Sequence, residues 1–214
     1  MRHKVFAIIL SDNDVSLGAE TNEIILTILA LKKNRIEYQC FSSRYRQHHR
    51  YNKKTGKKRK TSDESAVTLL ENVESLSKCI PDHFDALIIP AGLCVEEHSP
   101  TFSFNDKASE DNLIILEKIH EFKVQKKPVG YINMAPFLLP VVYRTGIILA
   151  IGDDVQTIAD FKETGRVHKI SRVKKVEVND LNKVLMTPAY MLESNILEAK
   201  NGIDKLVTKL NDIC

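Results

Sequence analysis

The chain has 214 residues, enough for a single α/β domain with a sizeable buried core. Its 43% hydrophobic and 28% charged residues are those of a soluble globular protein. No apolar run approaches the roughly 20 residues of a membrane span, so no membrane-spanning helix is expected.

Met1 to Lys4 leads straight into Val5–Leu10, a run too short for a signal-peptide core and without a cleavage site, so a cytoplasmic protein with no membrane partner is expected. Cys40, Cys79, Cys94 and Cys214 form no CxxC pair and no regular spacing, which points to reduced thiols rather than a zinc site or a disulfide framework. The histidines give no metal site either. His48 and His49 are adjacent rather than a helical turn apart, and His98 beside Glu96 and Glu97 lacks a ligand spacing. No metal and no cofactor are expected.

In chain order, short apolar strands alternate with helical patterns, which predicts a mostly parallel sheet with helices on both faces. Val5 to Leu10 is the first strand. Residues 20–33 carry Ile24, Ile28 and Leu31 at helical spacing, and Ile36 to Phe41 is the second strand. Residues 44–60 then hold nine Lys or Arg and no acid; removing those nine cations from the net +3 leaves the other residues at −6. Thr61 and Glu64 have capping-box spacing for a helix through Leu69, Leu70 and Val73. Asp85 to Pro90 is a strand ending in Ala91-Gly92. Ser109 caps a helix whose face repeats Leu113, Leu116, Ile119 and Phe122. Val129 to Ile132 and Ile147 to Ile151 are further strands, and Val173–Val178 with Lys183–Met186 flank Asn179 to Asn182 as a hairpin. Ile196, Ile203, Leu206 and Leu210 give an amphipathic closing helix. Without an internal repeat or a Pro/Gly/Ser linker, residues 1–214 are read as one domain.

Val129 to Asn133 leads into Met134-Ala135-Pro136-Phe137-Leu138-Leu139, which reads as a strand turning after three residues into a helix with Pro136 in its first turn. So abrupt a corner forces a strained, often positive-φ backbone on its residue and lifts that side chain out of the sheet. Asn133 sits at the corner. Hydrolases and amidotransferases put Ser or Cys there, with the next backbone N–H helping to hold an oxyanion. Asn accepts positive φ well but brings no ionisable nucleophile.

The elbow resembles that of ElbB-type proteins, the enhancing-lycopene-biosynthesis branch of the PfpI-type, class I glutamine-amidotransferase-like superfamily. That pattern runs Gly, aromatic or Met, Ile, Cys, Ile, Ala, Pro. Four other stretches carry the same likeness: Ile9-Leu10-Ser11 through Gly18 to Glu20 and Glu23; Glu37 to Phe41; Asp85 to Pro90; and Thr187 to Leu192 with Gly202 to Val207. The resemblance implies a flavodoxin-like three-layer α/β sandwich with a small hairpin. It also implies a site at the carboxyl rim of the sheet, where ligands of such folds collect. There it places Asn133 at the elbow, Glu23 as a buried acid facing it and Glu20 one helical turn earlier. Gly92 and Met134 would contribute backbone N–H groups to an oxyanion pocket.

The residues alone leave alternatives open. Asn133 suits the corner's backbone whether or not it binds a ligand, Glu23 could be an exposed first-turn acid serving the helix dipole, and Gly92 a plain turn residue. The chain departs from the family pattern at Asn133 for Cys, at Ala91 for the first Gly of a Gly-Gly turn, and in the acidic Asp12-Asn13-Asp14 loop. A carboxamide neither adds to carbonyls nor takes protons from carbon at neutral pH, so the glyoxalase or deglycase chemistry of cysteine-bearing relatives is expected to be absent or very slow. Cys94, two residues beyond Gly92, is the only stand-in nucleophile within reach of that rim. Where other branches place a basic His, this chain has Gly152-Asp153-Asp154; His168 matches a family His with a surface or interface role as open as a catalytic one.

Two functions follow. One is an ElbB-like protein with a degenerate elbow that binds a small metabolite without catalysis, as a homodimer like its relatives. The other is a weak glyoxalase-like enzyme on small carbonyls such as methylglyoxal, with Glu23 as base. Tyr45 and Tyr51 among the cations of residues 44–60 would suit single-stranded nucleic acid. The family loop there carries a similar Asn52, Thr55, Gly56 pattern, so a solvated loop is expected in preference to a nucleic-acid partner.

Overall fold

The computed structural model describes residues 2–10, 19–42, 49–51, 58–60, 73–90, 110–133, 142–143, 176–189 and 195–214. The expected features at Asp12 to Asp14, the helix starting at Thr61, Ala91-Gly92, Cys94, His98, Met134, the helix after Pro136, Ile147 to Ile151, Gly152 to Asp154 and His168 lie outside them.

Seven strands form one sheet in the order β5-β2-β1-β6-β7-β9-β8. In chain order they are β1 (Val5–Leu10), β2 (Glu37–Ser42), β5 (Val73–Ser75), β6 (Ala86–Ile89), β7 (Val129–Ile132), β8 (Glu177–Asn179) and β9 (Val184–Thr187). All neighbours run parallel except β8 on β9. The central strands read as unbroken apolar runs because both faces of the sheet are covered. Three long helices are α1 (Ala19–Lys33), α2 (Glu110–Val124) and α3 (Ile196–Ile213).

Strand periodicity of two divides the core in two. Ala7 and Ile9 of β1, Leu87 and Ile89 of β6, and Val129 and Tyr131 of β7 meet Ile115, Ile119 and Phe122 of α2 on one face. Phe6, Ile8 and Leu10, Ala86 and Ile88, and Ile132 meet Leu26, Ala30 and Leu31 of α1 and Ile203, Leu206 and Leu210 of α3 on the other. The result is the three-layer, flavodoxin-like α/β sandwich the sequence implies. Two helical faces are turned from expectation. Ile115 is buried on α2 while Leu113 is 55% exposed, and Ile196 in the first turn of α3 is 53% exposed.

The elements begin and end for local reasons. The Asn195 side chain caps α3 by accepting from the N–H groups of Leu197 and Glu198 at 3.0 and 3.1 Å. Arg35 and Lys126 take positive φ just past α1 and α2, as helix-terminating residues do. Asn179 Oδ1 accepts from the Asn182 N–H at 3.0 Å and holds the β8–β9 hairpin turn, one residue later than the sequence places its strands.

The sheet corrects one reading and extends another. Val73 is not in a helix but opens β5, which pairs in parallel with β2. Three residues at a sheet edge are too few to show a period, so Val73 read as the last apolar position of a helical face. The basic segment, expected as a solvated loop, contains a separate two-stranded antiparallel sheet, β3 (His49–Tyr51) and β4 (Lys58–Lys60).

Gly130 of β7 is a point of close approach between helix and sheet. A Cβ there would lie 2.7 Å from Leu210 Cδ1 and 2.9 Å from Leu206 Cδ2, both on fully buried side chains of α3. Gly130→Val is expected to destabilise the fold by roughly 1–3 kcal/mol through overpacking, read from the denaturant midpoint. An unchanged midpoint would show that α3 yields without cost.

On the opposite face, Lys123 Nζ donates to the Val142 carbonyl at 2.7 Å and lies 4.9 Å over the Tyr143 ring, tying residues 142–143 to α2. The Tyr131 and Tyr143 hydroxyls interact electrostatically, yet neither has a hydrogen bond of ordinary length. Burial raises Tyr131 well above its usual 10 and Tyr143 to about 12. Both stay protonated in the folded chain while the unfolded chain ionises them near 10, so their stabilisation is complete below that pH and is lost as pH rises toward 12. Melting temperature should therefore hold steady up to about pH 9.5 and then fall. Replacing both by Phe should remove up to about 1.4 kcal/mol per pH unit per group of that decline, while stability at pH 7 stays within about 1 kcal/mol of wild type. An identical decline in the double variant would assign the alkaline transition to other groups.

Candidate functional site

The chain proceeds outward from β1 through β2 to β5, then returns to place β6 on the other side of β1. Strand order therefore reverses between β1 and β6, and the carboxyl ends of these strands and their neighbours form the rim where an α/β sheet takes its ligands. Asn133 follows β7 directly on this rim. Its φ is +58°, the left-handed backbone that the abrupt strand-to-corner sequence requires. The Asn133 N–H donates to the Thr187 carbonyl at 3.0 Å, so the β7–β9 ladder continues by one bond into the corner and holds it.

Glu23 reaches the same place from α1. Helical spacing puts it with Leu26, Thr27 and Ala30 on the covered face, and it is 0% exposed. This decides between the alternatives: Glu23 is not a solvated first-turn acid. Asn133 Nδ2 donates to Glu23 Oε1 at 2.7 Å across 110 residues of sequence. A hydrogen bond to a buried carboxyl offsets part of the cost of taking that group out of water, so losing the Asn133 amide would remove one of the contacts that Glu23 depends on. One turn further along, the buried Thr27 hydroxyl satisfies itself by donating to the Glu23 carbonyl oxygen at 2.7 Å, an i−4 back-bond within α1. The half-buried Asn133 thus holds a fixed amide at the rim, with a fully buried acid directly behind it.

Of the other expected site residues, Glu20 lies in the first turn of α1, on the same element as Glu23, and its side chain is outside the described residues. Gly92, Met134 and Cys94 are outside them entirely. Among the described cysteines none is poised for chemistry. Cys40 is buried, and burial pushes the buried Cys79 thiol up to about 12 despite nearby Lys118. Cys214 is exposed as a residue but tucks its sulfur against the Leu210 carbonyl at 3.0 Å, and burial raises it to about 11. A nucleophile needs the opposite shift.

Two residues of this rim belong to the family-like stretch Thr187 to Leu192, which the sequence marks without giving either of them a role. Thr187, fully buried at the end of β9, supplies the carbonyl that receives the elbow N–H. Ala189, two residues on, takes φ +43° and is 2% exposed. Positive φ on a non-glycine residue is uncommon, and here two fall at the ends of adjacent strands. The signal available was Pro188, which stops the ladder immediately after Thr187.

No family model matches the chain. It is 26% identical over 97% of its length to the human glutamine amidotransferase-like class 1 domain-containing protein 3, mitochondrial, covering 82% of that protein. It is likewise 26% identical to the mitochondrial ES1 protein homolog of Rattus norvegicus, again over 97% of its length and 83% of the relative. Among solved structures, an isoprenoid biosynthesis protein with an amidotransferase-like domain from Ehrlichia chaffeensis superposes with a TM-score of 0.76, at 22% identity and over 98% of both chains. The fold is that of the PfpI and amidotransferase-like proteins, and the sequence relatives of this chain are glutamine amidotransferase-like class 1 domain proteins.

Proposed function

We propose that this chain is a single-domain ElbB-like protein that binds a small metabolite at its rim without transforming it, and that Asn133 occupies the place of the elbow cysteine. The observation that carries this reading is the 2.7 Å hydrogen bond from Asn133 Nδ2 to the buried Glu23. A thiolate at the corner would need a proton donor behind it. A carboxamide offers a donor of its own, so the pair becomes a recognition element with a fixed amide in front and an acceptor behind. Gly92 and Met134 complete the pocket with backbone N–H groups, and Glu20 sets charge at its edge. A homodimer is part of the proposal, and Ile25 and Leu29, one turn apart on α1 and 45% and 49% exposed, give it an apolar ridge. Among the described residues no helix is long and apolar enough to cross a membrane. A cytoplasmic location is proposed, although the named relatives are mitochondrial proteins.

The second reading is a weak glyoxalase-like enzyme acting on methylglyoxal. The position of Glu23 favours it, because a carboxyl group stands directly behind the corner. In that reading Glu23 takes a proton from carbon, and the N–H groups of Gly92 and Met134 hold the enediolate oxygen. Against it, Oε1 already accepts a hydrogen bond from Asn133.

Methylglyoxal consumption by wild type beside Asn133→Cys separates the two. Wild type is expected to be inert, and the cysteine variant to turn over at least tenfold above it, with the gain abolished by adding Glu23→Gln. A wild type that is active, and little changed by Asn133→Cys, would overturn the binding reading and leave Glu23 or Cys94 as the working group. Brief iodoacetamide treatment of native protein near pH 7.5 checks the latter, since Cys79 and Cys214 are held protonated. No fast-labelling site is expected; rapid alkylation at Cys94 would make it the nucleophile.

A further inference from the structure

The basic segment carries the strongest charge feature that the rim site does not use. Nine Lys or Arg and no acid fall within residues 44–60, against a remainder that is net acidic. A solvated loop would spread such charges apart. Instead the backbone closes β3 and β4 into an antiparallel ladder whose register sets Arg50 opposite Arg59, His49 opposite Lys60 and Tyr51 opposite Lys58. Residues directly opposite in such a ladder have Cβ atoms about 5 Å apart, and like charges so placed destabilise it. The register sets Arg50, Lys58, Arg59 and Lys60 on one two-stranded ribbon, and a chain of phosphates laid along that ribbon would neutralise them.

The residue types choose among anionic partners. Residues 44–60 contain no Leu, Ile, Val, Met, Phe or Trp, so the segment has nothing to insert into a lipid surface. It does contain Tyr45 and Tyr51, and Tyr51 is a residue of β3 paired in register with Lys58; an aromatic residue in so cationic a sequence suits a base stacked beside its own phosphate. We propose that the β3–β4 ribbon is a single-stranded RNA-binding arm, a function separate from the Asn133–Glu23 site.

Fluorescence anisotropy of a labelled oligouridine titrated with the full chain tests this across a series of salt concentrations. Binding at about 50 mM KCl is expected to weaken steeply with salt, with a log–log slope near −3 for about four neutralised phosphates. Arg50→Gln with Arg59→Gln should make that slope shallower by about 1 to 1.5, and Tyr51→Ala should weaken binding roughly five- to hundredfold while leaving the slope in place. The circular dichroism melt of each variant is compared with wild type, and the single Arg variants replace the double one should it fail to fold. Absence of binding at low salt would overturn the proposal and leave the cations as a guard against edge-to-edge strand pairing. Binding that treats oligouridine, heparin and phosphatidylserine vesicles alike, indifferent to Tyr51→Ala, would overturn it in favour of an unspecific anionic surface. Methylglyoxal assays of Asn133→Cys are independent of either result.

Discussion

The contact between Asn133 Nδ2 and Glu23 Oε1 is the constraint on which the rim depends, because it joins the first helix to the end of the fifth strand of the main sheet through a buried acid. Burying a carboxyl is expensive unless it is hydrogen-bonded, so the corner amide and α1 must be held in register with each other. That requirement is met from three sides. The Asn133 N–H is fixed to the Thr187 carbonyl, the Glu23 carbonyl oxygen accepts from the Thr27 hydroxyl one turn on, and the apolar faces of α1 and α3 hold the helix layer against the sheet. The strain of a left-handed asparagine is thereby borne by a rigid scaffold, which is the usual condition for keeping such a conformation.

The same geometry sets what chemistry the corner supports. A carboxamide is neutral across the working pH range and offers both a donor and an acceptor, whereas a thiol becomes useful only when its surroundings favour the thiolate. The described thiols are all in surroundings that favour protonation: burial raises Cys79 and Cys214, and Cys40 is sealed in the core. In the proposed reading the corner recognises a polar ligand through fixed hydrogen-bonding groups, with the Glu23 carboxyl behind it accepting from the amide.

Much of this was legible in the sequence because the informative residues are constrained locally. The apolar runs Val5–Leu10, Ala86–Ile89 and Val129–Ile132 can be little else than buried parallel strands, and Asn133 before Pro136 announces a corner that only a few residue types tolerate. The pairing of Glu23 with Asn133 was reached through resemblance rather than spacing, since nothing local connects residues 110 positions apart. What escaped was decided by tertiary context. Val73 to Ser75 is a strand because β2 offers it an edge, Leu113 is exposed because the sheet selects Ile115 instead, and His49–Tyr51 pairs with Lys58–Lys60 against the preference of their charges. Thr187 and Ala189 matter through their backbones, which sequence patterns report poorly.

The close approach at Gly130 bears on how the protein is made. β7 has β6 on one side and β9 on the other, and its glycine is a seat for Leu206 and Leu210. During synthesis, residues 5–133 can emerge with Glu23 and Asn133 both present but without the strand that takes the elbow N–H or the helix that closes over Gly130. The corner therefore acquires its shape only after residues 184–213 have left the ribosome. A nascent chain stalled before that point exposes the apolar flank of β7, the kind of surface that makes partly made chains prone to aggregate.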